Sequence, residues 1–436
     1  MSSRAMFFLI FFGVLLLIQF VVFWHFRKFG KSNPYLPFIP KNERRRKIWS
    51  WVTSVPFIIF NIPYIYLAIN RMDFSMISGA LYYCYIIPFY IFQAATIFIG
   101  VVLIAIKIIK LPYIIFYSIA KKIKSTRDKI DALKAKRSFK KFDDSRRKFI
   151  RAGGVLFTGY AFTSATVGIL KKDEFSVTNQ DIIIKNLPAN LKGLRIGLIS
   201  DIHSGPYMTT DQMKRYVEYI NNLNVDVMLI PGDLTNSQRA EVYPFTKAFR
   251  DLKAKYGVYA TLGNHDYFHD AEYVAKAVIE ETPIRLLRNE NKVLEINNEK
   301  LLLLGMEDTR QSGSKFDEAI FRYFDKTVAD AKVDLKKDNI VFESIPKILV
   351  YHKPYFFKDF AKENIDLTVS GHTHGGQIVF AKAGSINLSL ASSVSPYIDG
   401  VYKTGDLSMY VTRGIGTVGL PLRLNCPPEI AILTLR

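Results

Sequence analysis

Four long apolar stretches constrain this chain more than any other feature: residues 6–24, 48–69, 77–106 and 149–170. The first reads MFFLIFFGVLLLIQFVVFW, and Gln19 is its only strongly polar side chain. That is close to the roughly 20 apolar residues with which an α-helix crosses the hydrocarbon core of a bilayer. A helix apolar on every face must be buried all round, in a large core or in lipid. We therefore expect a membrane domain over residues 1–175 with about four transmembrane helices. A cleavable signal peptide fits the first stretch poorly, since Arg4 alone is a weak basic leader and no small-x-small site follows. Pro56 and Pro63 should kink the second stretch, and the Gly, Ala, Ser and Thr of the fourth suit close helix packing.

The chain has 436 residues and a formal charge of +20, from 59 Lys+Arg against 39 Asp+Glu. Residues 1–148 hold 25 basic and 6 acidic side chains, which leaves 34 against 33 for the rest. The excess sits between apolar stretches, as in membrane proteins, so no nucleic-acid partner is expected. Residues 27–47 carry eight basic side chains against one acid, and residues 107–148 carry fifteen against four. Both segments should face the cytoplasm, and the nearly neutral 70–75 connection should lie outside. The chain would then emerge outside after Leu170. The basic stretch 121–142 has two readings, an amphipathic helix on an anionic inner leaflet or a solvated linker. With only Cys84 and Cys426, neither a disulfide framework nor a cysteine-based metal site is available.

From about residue 191 short Val/Ile/Leu runs alternate with polar stretches of helical spacing, the pattern of an α/β layer structure. LRIGLIS, VDVMLI, YGVYATL, LLLLGM, KILVYH and IDLTVS read as strands, and the C-terminal part adds hairpins without long helices. Two sheets packed between helices are expected over residues 176–436.

Five of these strand ends are followed at once by metal-ligating residue types. They are Asp201 and His203 after LIS, Asp233 after VMLI, Asn264, His265 and Asp266 after YATL, His352 after ILVY, and His372 and His374 after LTVS. Ligands of α/β proteins gather at the carboxyl ends of strands. Five of the seven histidines fall in these motifs. Asp, His and Asn without Cys make a mixed oxygen and nitrogen donor set suited to Mn, Zn or Fe. The donors exceed what one tetrahedral ion needs, which points to two divalent metal ions and hydrolytic chemistry.

The strings SDIHSG, PGDLTN, LGNHDYF and SGHTHGGQ resemble the motifs of the calcineurin-like metallophosphoesterases. They are most similar to its membrane-anchored bacterial branch, over residues 190–436, and the segment VTRGIGTVGLPLRLNCPPEIAILTL resembles that branch's C-terminus. The resemblance implies a four-layer α/β/β/α domain in which Asp201, His203 and His374 hold one metal, Asn264, His352 and His372 the other, and Asp233 bridges both. It implies a catalytic role for His265 at the leaving-group oxygen, with Asp266 fixing its tautomer. It also implies a multi-pass protein of the bacterial inner membrane whose catalytic domain, by the charge argument, is extracytoplasmic. The implied substrate is a phosphorylated lipid or lipid-linked phosphodiester or monoester. UDP-2,3-diacylglucosamine pyrophosphate hydrolysis is the alternative, as is a non-catalytic membrane sensor or scaffold that keeps the fold.

Arg413 is the arginine expected nearest the substrate, while Arg288, Arg310 and Arg423 read as salt-bridged or solvated. Asp226 reads as structural and His269 as a rim residue. Gly232, Gly263 and Gly371 should allow sharp turns into the metal loops. Ser145, Arg146 and Arg147 resemble part of a twin-arginine export signal, or form a basic flank. The uncharged stretch after Lys382 reads as a hairpin over the sheet or as an apolar rim.

Overall fold

The computed structural model describes residues 3–30, 43–69, 78–384 and 386–436. The chain divides into two compact units, Met1–Ile169 and Leu170–Arg436.

In the first unit, helices run over Ser3–Gly30, Glu43–Ile59, Ile62–Ile69, Gly79–Ala120, Lys124–Ala135 and Arg137–Leu170. Three segments among the described residues are long and apolar enough to cross a bilayer: Lys47–Tyr66, Gly79–Ala120 and Arg137–Leu170. The helix Ser3–Gly30 covers the first apolar stretch of the sequence. The protein is thus a multi-pass membrane protein. The 70–75 connection and most of the 27–47 basic segment lie outside the described residues.

Helix continues well past the apolar limits read from the sequence. Hydropathy marks where lipid contact ends, whereas helical hydrogen bonding does not depend on side-chain polarity and here continues past Pro112. The helix of the third apolar stretch, Gly79–Ala120, therefore carries Lys107 and Lys110, and the helix of the fourth stretch starts at Arg137. At 34 residues, Arg137–Leu170 is longer than a bilayer core requires. The basic stretch between them is helical over Lys124–Ala135.

The second apolar stretch breaks at Phe60 and Asn61, just before Pro63, which lacks the N–H that would bond the preceding turn. The carbonyls released there find partners. Tyr85 Oη donates to the Ile59 carbonyl and Gln93 Nε2 to the Phe60 carbonyl, both at 2.6 Å. Gln19 Nε2 donates to Gln93 Oε1 at 2.6 Å, and Asn61 Nδ2 donates to Gln19 Oε1 at 2.8 Å. The one polar residue of the first stretch thus ties three helical segments together. Backbone groups freed within a membrane helix require such satisfaction.

Among the described residues the second unit has fourteen strands. β1 (Ser176–Ile182), β2 (Arg195–Leu198), β3 (Val227–Pro231), β4 (Val258–Thr261), β5 (Ile284–Leu286), β6 (Glu290–Ile296) and β7 (Glu299–Met306) come first. β8 (Lys347–Tyr351), β9 (Leu367–Ser370), β10 (Val379–Ala383), β11 (Ile386–Ser389), β12 (Gly400–Thr404), β13 (Leu407–Val411) and β14 (Glu429–Leu435) follow. One sheet has the order β1-β14-β2-β3-β4-β5 and the other β12-β13-β9-β8-β7-β6; β10 and β11 form a separate hairpin. β2, β3, β4 and β5 are parallel, as are β7, β8, β9 and β13, so each sheet sends several carboxyl ends in one direction.

Alternation along the strands builds the layers. Leu301 and Leu303 of β7 join Ile196, Leu198, Leu229, Val350 and Val369 in the core between the sheets. Leu302 and Leu304 point the other way, onto Ile320, Phe324 and Val328 of the helix Ser314–Lys337. On the outer face of the first sheet, Met228 and Ile230 pack with Met213, Val217, Phe245 and Phe249 of the helices Thr210–Asn222 and Val242–Phe249. The result is the four-layer α/β/β/α architecture, with both sheets buried on two faces.

Replacing Gln93 by Ala would unpair the Phe60 carbonyl and the Gln19 amide. We expect the membrane unit to lose about 1 kcal/mol, the scale of interhelical hydrogen bonds in lipid. Denaturant titration of the full chain in detergent measures this, and an unchanged midpoint would refute it.

Candidate metal centre

The carboxyl ends of β2, β3, β4, β8 and β9 deliver the five motifs to one place, and the backbones of the loops are bonded to one another. Asp201 N donates to the Gly232 carbonyl at 3.2 Å, and the amides of Ile202 and His203 both donate to the Asp233 carbonyl at 2.8 and 3.1 Å. Gly371 N donates to the His352 carbonyl at 2.9 Å. The amide of His372 donates to both oxygens of Asp201, at 2.9 and 3.0 Å, and that of His265 to Asp233 Oδ1 at 2.9 Å.

Among the described residues, side-chain donors converge in two main groups, Asp201, His203 and His374 in one and Asp233, His352 and His372 in the other, and a third group, His203, Asp233 and His265, overlaps both; the ligand atoms of each lie within 4.8 Å of one another. In the first, Nε2 of His203 and of His374 are 3.0 Å apart, and His374 Nε2 is 3.4 Å from Asp201 Oδ1. In the second, His352 Nε2 lies 3.2 Å from Asp233 Oδ2 and 3.2 Å from His372 Nδ1. Asp233 Oδ2 is also 3.6 Å from His203 Nε2, so this carboxylate faces both groups. Asn264 stands between Gly263 and His265, both of which meet Asp233.

The electrostatics fit divalent cations. Burial holds the imidazoles of His203, His372 and His374 well below their ordinary range, so they are neutral and present lone pairs. Burial pushes Asp201 up to about 6. Burial would also raise Asp233, but the surrounding imidazoles, His352 foremost, hold it well below the usual carboxylate range. The amide oxygen of Asn264 and Nδ1 of His203 and His374 are buried without hydrogen-bond partners. An orphaned buried acceptor costs about 1–3 kcal/mol unless something compensates. Neutral imidazoles, carboxylates and an amide oxygen are suitable donors for two divalent ions, and the residues present fit them.

Backbone conformation is also spent on the site. Asp201 (φ +51°), His203 (+49°), Asp233 (+55°), His372 (+72°) and His374 (+51°) all occupy the left-handed region. Such conformations cost on the order of 1 kcal/mol each and cluster at functional sites. Two glycines supply clearance: a Cβ at Gly371 would collide with Ser200 Oγ and Asp201 Oδ2, and one at Gly263 with Asp233 Oδ1.

One sequence expectation needs correction. Asp266 does not reach the ring of His265; its carboxylate accepts from the amides of Gly263 (2.9 Å), Leu234 (3.2 Å) and Thr235 (2.9 Å) and from the Thr235 hydroxyl (3.0 Å). A buried carboxylate beside four donors binds them in preference to a ring facing elsewhere. His265 Nδ1 instead meets the carbonyl of Asn236 at 2.6 Å. Arg413 is likewise committed, to Glu429 (3.1 Å), the Ser176 hydroxyl (2.8 Å) and the Pro427 carbonyl (3.2 Å), so its guanidinium ties β14 and β1 to the loop after β13.

The other arginines and Asp226 are engaged within the fold. Arg288 pairs with Glu272 and Glu307, Arg310 donates to the carbonyls of Tyr267 and His269, and buried Arg423 donates to those of Gly416 and Cys426. Asp226 accepts from the Arg195 amide. The stretch after Lys382 contains the β10–β11 hairpin, with Leu388, Leu390 and Val394 exposed.

Three neighbours escaped sequence reasoning. Tyr355 Oη lies 2.8 Å from His372 Nε2. Asp308, fully buried, sits 2.9 Å from Lys353 Nζ. It follows β7, a sixth strand end, and that position was a usable signal. Asn236 acts through its carbonyl, which no side-chain pattern reveals.

Asp266→Ala would strand three amides and a hydroxyl in the interior, so we expect a loss on the order of 3 kcal/mol or more. Calorimetry of the metal-free protein should show a clearly lower Tm; an unchanged Tm with lost turnover would restore a chemical role for Asp266.

Comparison with known proteins agrees with this geometry. Residues 194–376 match the calcineurin-like phosphoesterase family. A transmembrane protein with metallophosphoesterase domain from Danio rerio is 31% identical over 267 residues, 60% of this chain and 57% of that protein. An uncharacterized metallophosphoesterase of Helicobacter pylori (strain J99) is 30% identical over 306 residues, 67% of this chain and 73% of its own length. Another, of Bacillus subtilis (strain 168), is 27% identical over 303 residues, 67% of this chain and 98% of its own length. With these relatives, and with its donors gathered at the strand ends of a metal-dependent phosphoesterase domain, the chain belongs to the calcineurin-like metallophosphoesterases.

Proposed function

We propose that the protein hydrolyses a phosphorylated lipid or a lipid-linked phosphoester at the outer face of the membrane. The observation that carries the reading is the shared placement of Asp233 between two donor groups, in a domain whose first strand starts six residues after the membrane helix ends at Leu170. A hydrolase domain carried on a multi-pass membrane unit favours a membrane-borne substrate.

Asp201, His203 and His374 would hold one cation, Asn264, His352 and His372 the other, and Asp233 both. Such ions, when bound, activate water and neutralise charge on the nonbridging phosphoryl oxygens. The chain's own part is positional. His352 donates from Nδ1 to the Pro231 carbonyl at 2.8 Å, which turns its Nε2 lone pair inward. His265, whose ring centroid is 4.5 Å from that of His203, extends from the third motif beside this group. Its Nδ1 is engaged with the Asn236 carbonyl, so Nε2 donates to a leaving-group oxygen only when the ring is an imidazolium. The outward orientation rests on the two basic segments, 27–47 and 107–148.

Asp233→Asn should abolish turnover of the metal-reconstituted, detergent-solubilised protein. Phospholipids, lipid phosphates and UDP-linked diacylglucosamine are the substrates to compare. His265→Ala should lower turnover about 100-fold or more while leaving two metals bound. Wild-type protein that binds two metals yet cleaves none of these substrates would favour a sensor or scaffold. A reporter fused after residue 175 should be active outside the cytoplasm; activity only inside would overturn the orientation.

A further inference from the structure

The two donor groups differ in one respect. His203 and His374 approach through Nε2, and their buried Nδ1 atoms have no partner. In the other group both remote ring nitrogens are engaged. His352 Nδ1 meets the Pro231 carbonyl at 2.8 Å and His372 Nε2 meets the Tyr355 hydroxyl at 2.8 Å.

A carbonyl only accepts, so His352 carries a proton on Nδ1, and its Nε2 stands 3.2 Å from both His372 Nδ1 and Asp233 Oδ2. The Tyr355 hydroxyl can donate to His372 Nε2 or accept from it. A cation held by His372 Nδ1 needs the ring proton on Nε2, and there the phenol oxygen is its acceptor. Without that oxygen the N–H of the ligating ring loses its partner.

We propose that Tyr355 is a positioning residue that holds the ring of His372 in its metal-binding orientation by accepting from Nε2. This rests on the dimetal reading of the centre and deepens it for one of the two ions. The position of Tyr355 is itself supported. Its ring stands edge-on to His372, with centroids 5.5 Å apart at 86°, on the short turn Pro354–Phe356. That turn follows Lys353, whose amine is held 2.9 Å from Asp308 and 4.2 Å from the centroid of the Phe316 ring.

Tyr355→Phe keeps the ring and deletes the oxygen. Metal-stripped full-length wild type and variant in detergent would be titrated with Mn²⁺ by calorimetry, with electron paramagnetic resonance to detect coupled Mn²⁺ pairs. We expect two binding steps in the wild type and, in the variant, one step weakened about tenfold or more with the other unchanged. At limiting Mn²⁺ the coupled-pair signal should give way to isolated Mn²⁺, and the Tm of the metal-free protein should not move. Two unchanged steps would overturn the role of Tyr355. Equal weakening of both steps with a lower metal-free Tm would also overturn it, by showing a general packing role. A wild type that binds fewer than two ions would instead overturn the dimetal reading itself.

Discussion

The catalytic unit is organised around one buried carboxylate that several positive or polarised groups must share. Asp233 accepts the His265 amide on one oxygen and faces His203 and His352 with the other, while its backbone carbonyl takes the amides of Ile202 and His203. An ionised carboxylate this deep is unfavourable unless it is paired and hydrogen-bonded. That requirement draws the loops after β2, β4 and β8 toward the end of β3, and so brings the edges of two different sheets together. The strained left-handed residues and the glycines without room for a Cβ are consequences of this crowding.

Much of this was legible in the sequence because metal chemistry restricts residue types and strand ends restrict position. The alternation of Leu301 to Leu304 identifies a strand buried on both faces, and the polar residues after five such runs identify one end of the sheets. What remained hidden depends on backbone atoms or on distant neighbours. Nothing in the order Asn-His-Asp distinguishes an acid that orients a ring from one that binds loop amides; only the approach of Leu234 and Thr235 decides it. The engagement of Arg413 was hidden for a related reason, because its partner Glu429 belongs to a strand whose position in the sheet no local pattern encodes.

The membrane unit shows the same division. Hydropathy located the apolar stretches, and Pro63 marked the break in the second of them. It could not show that Gln19, alone in an apolar run, joins the side chains that satisfy that break, nor that helices would persist through Lys107 and Lys110. Apolarity is a property of composition, while helix length is set by breakers and caps.

One feature of the first sheet reaches beyond the finished structure. β14 lies between β1 and β2, parallel to the one and antiparallel to the other, although β1 and β2 are close neighbours along the chain. During synthesis a slot must therefore stay open beside β2 until residues 429–435 have emerged, long after the membrane helices. The strand that carries Asp201 is an unprotected edge for that whole interval, and pairing at such sequence separation is slow. The first sheet is thus completed only by the C-terminal strand, the last of its six to be made.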